Sequence, residues 1–580
     1  MNGSELLARC LEVAGSHTVF GVPGTQNTGL FEGLRKANLR TILATHELGA
    51  AFQANGYARV SGNPGIVMTI PGPGFLFALP GIVEARHDSA PLVMFVPRAH
   101  EVPGKSFQLQ VLDQAAFASG AFKETLTIER TEDIPGGVFG ALESSLSGEP
   151  GPVLVELLDS ALRGEGMKPA EIPDPPELQN QERHPPDLAA VLDRVLGGER
   201  VLLLLGQGAF GAADPLLLLT EKLGSVVVTN SSGRGVIPED HPRAVCGDFS
   251  GWGTGLVNAL VREADLVLAM GYKFSGNGSA GFSLQLPREK LVHVDTSAQV
   301  LNANYPSHLS LQMDARAFSQ ALLEAVEASG AEREGWKTDE VRAWKESFAR
   351  ERGSGLDRYP RLPSGREDEL VGFFRSLESR LPQDAIVVTD TGSHQTVVRR
   401  LHQVNSPRGL IIPSDFQSMA FGVPAAIGAA LAAPRRRVVL VTGDGGMVMA
   451  GMELLSAVRE GLTLTAIVFN DGYLGQIRAQ QIADYGHPHA TELGTVDFQA
   501  LADTVGADYA VWDGSDPGFP ERVLDHEGVR VVDLRLTDSP SMRRLRRKAL
   551  ARNAVRRTVG ERGVSWLKRW VRRLSSWRQD

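Results

Sequence analysis

One run of four residues carries the most chemical information in this chain. Gly443-Asp444-Gly445-Gly446 follows an apolar strand-like segment, Val438 to Val441, and opens an apolar-periodic helix. Glycines let backbone N–H groups approach an anion, and a helix N-terminus favours negative charge. An acid at such a place makes sense if a divalent cation bridges carboxylate and phosphate. Asn470 ends the next strand-like segment, 26 residues beyond Asp444. One βαβ crossover would put Asp444 and Asn470 on neighbouring strand ends, where both can ligate one hard metal. A second pattern, Gly206, Gly208 and Gly211 in "VLLLLGQGAFGAADPLLLL", has the form of a dinucleotide turn. The acid expected after its next strand is replaced by Thr229, Asn230 and Ser231, so a packing turn is the favoured reading. The third pattern is a basic tail. Residues 541–580 hold 14 Lys and Arg against two acids, a net of +12. The other 540 residues hold 45 bases against 66 acids, a net of −21.

The elements that must position these residues alternate between strand and helix signals. Short apolar runs at Val19 to Val22, Gly65 to Ile70, Leu92 to Val96 and Val153 to Leu157 predict strands in a first block ending near Ala161. A Pro- and acid-rich spacer at about 163–186 leads to a second alternating block, 187–328. A charged, partly helical linker then leads to a third block, with strands at Ile386 to Val388, Val438 to Val441, Leu464 to Phe469 and Val529 to Leu534. Such alternation predicts parallel sheets covered by helices on both faces, with ligands at the carboxyl ends of strands. At 580 residues the chain is too long for one core. With only Cys10 and Cys246, a disulfide scaffold is excluded. Residues 1–14 do not read as a secretory leader, and no apolar run is long enough to span a bilayer, so a cytoplasmic location is expected.

Gly443-Asp444-Gly445 followed by Asn470 resembles the thiamine diphosphate motif of acetolactate synthase, pyruvate oxidase and 2-oxo acid decarboxylase relatives. Other segments agree in order: "FGVPGTQNTGLFEGL", "THELGAAFQANGYARVSG", "PGPG" at 71–74, "DSAPLV" at 88–93, "SFQ" at 106–108, "DTGSHQ" at 390–395 and "SMAFGVPAAIGAA" at 418–430. The resemblance covers about 1–537. It implies an α/β fold of three doubly wound parallel-sheet domains: pyrimidine-binding over 1–162, a Rossmann-like middle domain over 187–328 and diphosphate-binding over 367–537. It implies thiamine diphosphate and Mg2+ as cofactors, with Asp444, Asn470 and the Gly472 carbonyl on the metal. Gly443, Gly445 and Gly446 would lie along the diphosphate, with Ser393 and His394 near it. The Gln417 carbonyl and the Met419 N–H would meet the pyrimidine, and the Met419 side chain would hold the cofactor folded. Glu47 matches the catalytic glutamate that exchanges a proton with the pyrimidine ring. Gln108 and Lys123 match polar residues near the reacting carbon. Glu47 and Asp444 lie in different domains, so the resemblance implies sites between two chains of a homodimer or homotetramer.

The implied activity is decarboxylation of a small 2-oxo acid, or transfer of the acyl unit that results. Two departures bear on substrate. Acetohydroxyacid synthases carry an arginine for the second 2-oxo acid after the strand that here reads "ADLVLAMGYKFSGNGSAG", where Lys273 is the only base, and a tryptophan near the position of Gln480. FAD stays open, since "GRGVIPEDHP" resembles the family and "GDFSGWGTG" departs. Two rivals stay open as well: a flavin-linked oxidase at a membrane, and a tail-tethered scaffold without catalysis. The tail has its own physics. At about 3.6 residues per turn, Trp566, Leu567, Trp570, Val571, Leu574 and Trp577 share one face of a helix, and Lys568, Arg569, Arg572 and Arg573 the other. Such a basic amphipathic helix suits an anionic membrane surface, with docking on the acidic body and nucleic-acid binding as the alternatives.

Overall fold

The computed structural model describes residues 1–176, 187–330, 334–354, 369–516 and 518–537; the tail, 541–580, lies outside them. Among the described residues, eighteen strands form three six-stranded sheets, with every pairing in them parallel. The first holds β1 (Thr18–Gly21), β2 (Arg40–Leu43), β3 (Gly65–Met68), β4 (Leu92–Pro97), β5 (Glu124–Ile128) and β6 (Pro152–Leu157), in the order β2-β1-β3-β4-β6-β5. The second holds β7 (Val201–Leu205), β8 (Val226–Thr229), β9 (Ala244–Gly247), β10 (Leu266–Met270), β11 (Leu291–Asp295) and β12 (Leu309–Gln312), in the order β12-β11-β10-β7-β8-β9. The third holds β13 (Ile386–Thr389), β14 (Leu410–Ile411), β15 (Val438–Gly443), β16 (Leu464–Asn470), β17 (Asp508–Trp512) and β18 (Val529–Arg535), in the order β14-β13-β15-β16-β18-β17. The first and third sheets share one topology, a structural repeat that the sequence does not display. The central strands β3, β4, β6, β7 and β10 are buried along their whole length, which is why they read as unbroken apolar runs.

The first and third units are joined within the chain by one continuous core. Helix Glu47–Ser61 crosses helix Gly422–Ala432 so closely that a Cβ on Gly56 would stand 2.1 Å from the Ala425 carbonyl oxygen. A Cβ on Gly428 would stand 1.9 Å from that of Gln53. Only glycine permits this approach, and it brings Phe52 edge-on to Phe421 at 5.4 Å. The charged stretch after 330 is helical over Thr338–Gly353. Val341 and Phe348 pack into the middle unit's core, and Trp336 donates its indole N–H to the Val201 carbonyl at 3.0 Å. Among the described residues, no helix is long and apolar enough to cross a membrane.

Candidate cofactor site and active site

Strands β13, β15 and β16 lie side by side in the third sheet, so their carboxyl ends open on one edge. Gly443 pairs with Phe469, which makes Asp444 and Asn470 neighbours across the sheet. Asp444 is buried. Its Oδ1 accepts the Gly445 N–H at 2.8 Å and its Oδ2 the Gly472 N–H at 2.7 Å, and burial raises its pKa above the usual carboxylate value. Asn470 donates its Nδ2 to Asp533 at 2.9 Å, which turns the amide oxygen to the other side. An acid held in burial beside an amide oxygen is a donor set that suits a hard cation. The Gly472 carbonyl already accepts the Leu493 N–H at 3.0 Å, so one lone pair of that oxygen is left for a metal.

Next to this pair the chain leaves a seat. A Cβ on Gly445 would lie 3.2 Å from both Met419 Cε and Leu474 Cδ2, so the missing side chain opens a space walled by Met419 and Leu474. His394 is buried over Gly443, whose Cβ would lie 3.2 Å from its Nδ1. Its Nε2 donates to the Asp390 carbonyl at 2.9 Å, and burial pushes its pKa down to about 4, so it is a neutral imidazole with Nδ1 as acceptor. Ser393, the first residue of helix Ser393–Leu401, is half-buried. Gln417 is exposed, in the left-handed region at φ 60°, with Nε2 donating to the Ser414 carbonyl. Asp390, which the sequence reading did not single out, organises the floor. Fully buried and pushed up to about 6 by burial, it accepts the N–H groups of Thr391 at 2.7 Å and Gly422 at 3.2 Å. Its sequence signals are an acid directly after an apolar strand and its place at the head of the "DTGSHQ" segment.

Glu47 opens helix Glu47–Ser61, four residues past the end of β2, at the carboxyl end of the first sheet. Its Oε1 would be 3.0 Å from a Cβ on Gly74, so the first turn of helix Pro73–His87 stays bare beside it. Gln108 sits at the same end, in the loop after β4. It accepts the Val102 N–H at 2.6 Å and donates to the carbonyls of Val102 and Lys105, pinning its own loop. The chain does not bring Lys123 to this place. Lys123 precedes β5 and so lies at the amino end of the sheet. β2 and β5 are opposite edges of the sheet, five strand spacings or roughly 24 Å apart. Its ammonium donates to the carbonyls of Ser144, at 2.6 Å, and Ser147, closing the end of helix Ile134–Leu146. Within one chain Lys123 is a helix cap remote from Glu47.

Comparison with known proteins matches the same three units. The family model for the N-terminal TPP binding domain of thiamine pyrophosphate enzymes matches residues 1–117, that for their central domain 188–322, and that for their C-terminal TPP binding domain 390–533. The probable 2-ketoarginine decarboxylase AruI of Pseudomonas aeruginosa is 30% identical over 567 residues, 92% of this chain and 94% of that one. The chain belongs to the thiamine pyrophosphate enzymes. The probable acetolactate synthase large subunit of Methanocaldococcus jannaschii is 29% identical over 519 residues, covering 87% and 86% of the two chains. The acetolactate synthase isozyme 1 large subunit of Escherichia coli is 28% identical over 546 residues, covering 92% and 94%. The reading as a non-catalytic scaffold falls with this membership.

In this thiamine pyrophosphate enzyme the middle unit carries the glycine-rich turn and a cleft of about 300 Å³, lined by residues of all three units including Arg59, Asp88, Gln207, Lys273, Asp295 and Arg408. A dinucleotide pyrophosphate needs free N–H groups at such a turn, and three of those here are engaged. The Gly206, Gly208 and Ala209 N–H groups already go to the carbonyls of Met270, Gly271 and Gly206, at 3.1, 3.2 and 3.1 Å. A Cβ on Gly206 would meet the Gly271 carbonyl oxygen at 2.0 Å, so these glycines serve close packing. Gln207 bridges the cleft to the Asp88 carbonyl at 2.6 Å, and Lys273 is paired to Glu149 at 2.8 Å. These contacts support neither a nicotinamide nor a flavin dinucleotide at the turn.

Proposed function

We propose that this chain uses thiamine diphosphate and Mg2+ to decarboxylate a small 2-oxo acid, or to transfer the acyl unit that remains to an acceptor. The observation that carries the reading is the seat bounded by Asp444, Asn470, the bare Gly445 and Met419, at the carboxyl ends of adjacent strands. When bound, thiamine diphosphate supplies a nucleophilic carbon for the 2-oxo carbonyl and an electron sink that lets carbon dioxide leave. The residues of the chain do the rest. Asp444, Asn470 and the free lone pair of the Gly472 carbonyl hold the metal, Gly443, Gly445 and Gly446 keep the diphosphate floor bare, and Ser393 and His394 wall it. The Gln417 carbonyl and the Met419 N–H orient the pyrimidine, and Glu47 moves a proton at its ring nitrogen. The fixed loop around Gln108 borders the substrate end, and Lys123 has no part in the chemistry.

A site shared between two chains is part of the proposal. Large apolar side chains stand exposed on both halves: Phe77 (51%), Leu109 (78%) and the fully exposed Phe107 on the first unit, Val448 (50%) and Met449 (58%) on the third. Leaving them in water is unfavourable, and a second copy covering them supports a homodimer or homotetramer. One observation favours decarboxylation, or an acceptor without a carboxylate, over joining two 2-oxo acids. Lys273, the only base where acetohydroxyacid synthases hold an arginine, is committed to Glu149 and to the His87 carbonyl. Of the relatives named above, one is called a probable 2-ketoarginine decarboxylase and two acetolactate synthases. A flavin-linked oxidase gains no support from the cleft. A cytoplasmic location, with the tail 541–580 on an anionic membrane, completes the proposal. Flotation with anionic vesicles that vanishes on deleting 541–580 supports the membrane part; no flotation at low salt refutes it.

The test is a panel of 2-oxo acids with thiamine diphosphate and Mg2+, products read by mass spectrometry, for the parent and Asp444→Ala. Carbon dioxide release that Asp444→Ala abolishes together with cofactor retention is the expected result. Unchanged cofactor affinity in that variant would refute the site.

A further inference from the structure

Two segments that carry proposed site residues are each gripped by a buried acid from the other unit of the same chain. Thr45 and His46 lead into Glu47. Glu453, at the end of the turn Gly451–Glu453, is buried against this lead. The Thr45 N–H donates to Oε1 at 3.0 Å and Oε2 at 3.2 Å, the Thr45 hydroxyl to Oε2 and Gln53 Nε2 to Oε1 at 2.7 Å, and the Ser456 hydroxyl oxygen lies 3.1 Å from Oε1. A Cβ on residue 49 would stand 2.3 Å from Oε2, so Gly49 admits the carboxylate. The Ser456 hydroxyl and Arg459 both donate to the Leu43 carbonyl at 2.8 Å, extending the grip along the segment.

The reverse grip comes from helix Pro73–His87 of the first unit. The Ser418 N–H donates to Glu84 Oε2 at 2.8 Å, and the Thr391 hydroxyl to the Ser418 carbonyl at 3.1 Å. One turn on, Asp88 accepts the Ser414 hydroxyl at 2.6 Å and the Arg59 guanidinium at 3.1 Å, and Arg59 also donates to the Ile412 carbonyl at 2.8 Å. The held segment is bent in a way its residues do not favour, since Gln417 and Ala420 sit at φ 60° and 68°. The bend needs outside support, and Glu84 gives it at the residue before Met419.

We propose that Glu453 and Glu84 are reciprocal positioning residues: Glu453 of the third unit sets the approach of Glu47, and Glu84 of the first unit sets the bend that presents Met419. The proposal rests on the roles given above to Glu47 and Met419. The two acids are not interchangeable with amides to the same degree. Both Glu453 oxygens lie within reach of the Thr45 N–H, a donor that cannot turn round as the Thr45 and Ser456 hydroxyls can, so a glutamine there would set its own NH2 against that N–H. Glu84 receives a single N–H, which a glutamine oxygen can accept equally well.

The experiment reads amide exchange by mass spectrometry on the full chain without cofactor. Glu453→Ala should speed exchange at least tenfold at residues 44–48, in the other unit, and Glu84→Ala should do so at 414–420, with exchange elsewhere unchanged. With thiamine diphosphate and Mg2+, kcat should fall about 10- to 100-fold, the scale of a misplaced reacting group, with KM within about threefold. Glu84→Gln should restore kcat and Glu453→Gln should not. Exchange that rises over the whole chain, or kcat within twofold of the parent in both alanine variants, overturns the proposal. Exchange is measured without cofactor, so this failure is distinct from failure of the Glu47 role, which would show as an undiminished proton exchange in Glu47→Gln.

Discussion

Glu84 should make this protein less stable as pH rises, and the effect should be removable. The carboxyl is fully buried beside Asp88, and burial first, then the Asp88 charge, push it up to about 8 from the ordinary 4.5. A carboxyl with a raised folded-state value is protonated in the fold while the unfolded chain has already lost the proton. Its contribution is therefore intact below about pH 4.5 and is lost as pH rises through 8. At about 1.4 kcal/mol for each pH unit, the loss by pH 8 is on the order of 4 kcal/mol. Glu84→Gln keeps the neutral shape at every pH. Its thermal midpoint should match the parent's near pH 4.5 and exceed it progressively above, by about 8–16 °C at pH 8 for a domain of this size. Titrating groups other than the neighbouring Asp88 are common to both chains and cancel in the difference. A midpoint gap that does not change between pH 5 and pH 8 would refute the reasoning.

Further expectations concern packing and the displaced lysine. Gly428→Ala drives a methyl into the Gln53 carbonyl 1.9 Å away, so it should destabilise the joined first and third units by about 3 kcal/mol or more in urea unfolding. A loss below about 1 kcal/mol would contradict the close crossing. Lys123→Met should leave kcat within about threefold of the parent while costing about 1–2 kcal/mol of stability, since it removes two bonds to helix-end carbonyls. A hundredfold loss of kcat at unchanged stability would return Lys123 to the site. Mixing Glu47→Gln with Asp444→Ala chains should regain activity absent from either variant alone, because one of the two shared sites is then intact. No recovery on mixing would place each site within a single chain.

The parts of the fold that the sequence displays are those with a continuous apolar signature. β3, β4, β6, β13, β15, β16 and β18 are buried inner strands and read directly as Val-, Ile- and Leu-rich runs. The strands it conceals in the first and third sheets are β2, β5, β14 and β17, and each is a sheet edge. β5 is largely exposed, as in Glu124-Thr-Leu-Thr-Ile128, so its run breaks up, and β14 is buried but only two residues long. The misplacement of Lys123 follows from this: without β5, nothing tells which end of the sheet the lysine occupies. Asp444 and Asn470 were legible because one crossover fixes them on adjacent strand ends. Glu84 and Glu453 were not, because an acid among apolar helical residues has no signature until its partner from a distant segment is seen. The shared topology of the first and third sheets is likewise carried by strand order and not by residue identity.

The most direct test of the central claim is hydrogen–deuterium exchange at the thiazolium C2 of thiamine diphosphate, followed by NMR, in the parent and in Glu47→Gln at equal cofactor occupancy with Mg2+. Exchange should be fast in the parent and about 100-fold or more slower in the variant, the scale of a lost general acid–base group. Equal exchange rates in the two proteins would contradict the claim.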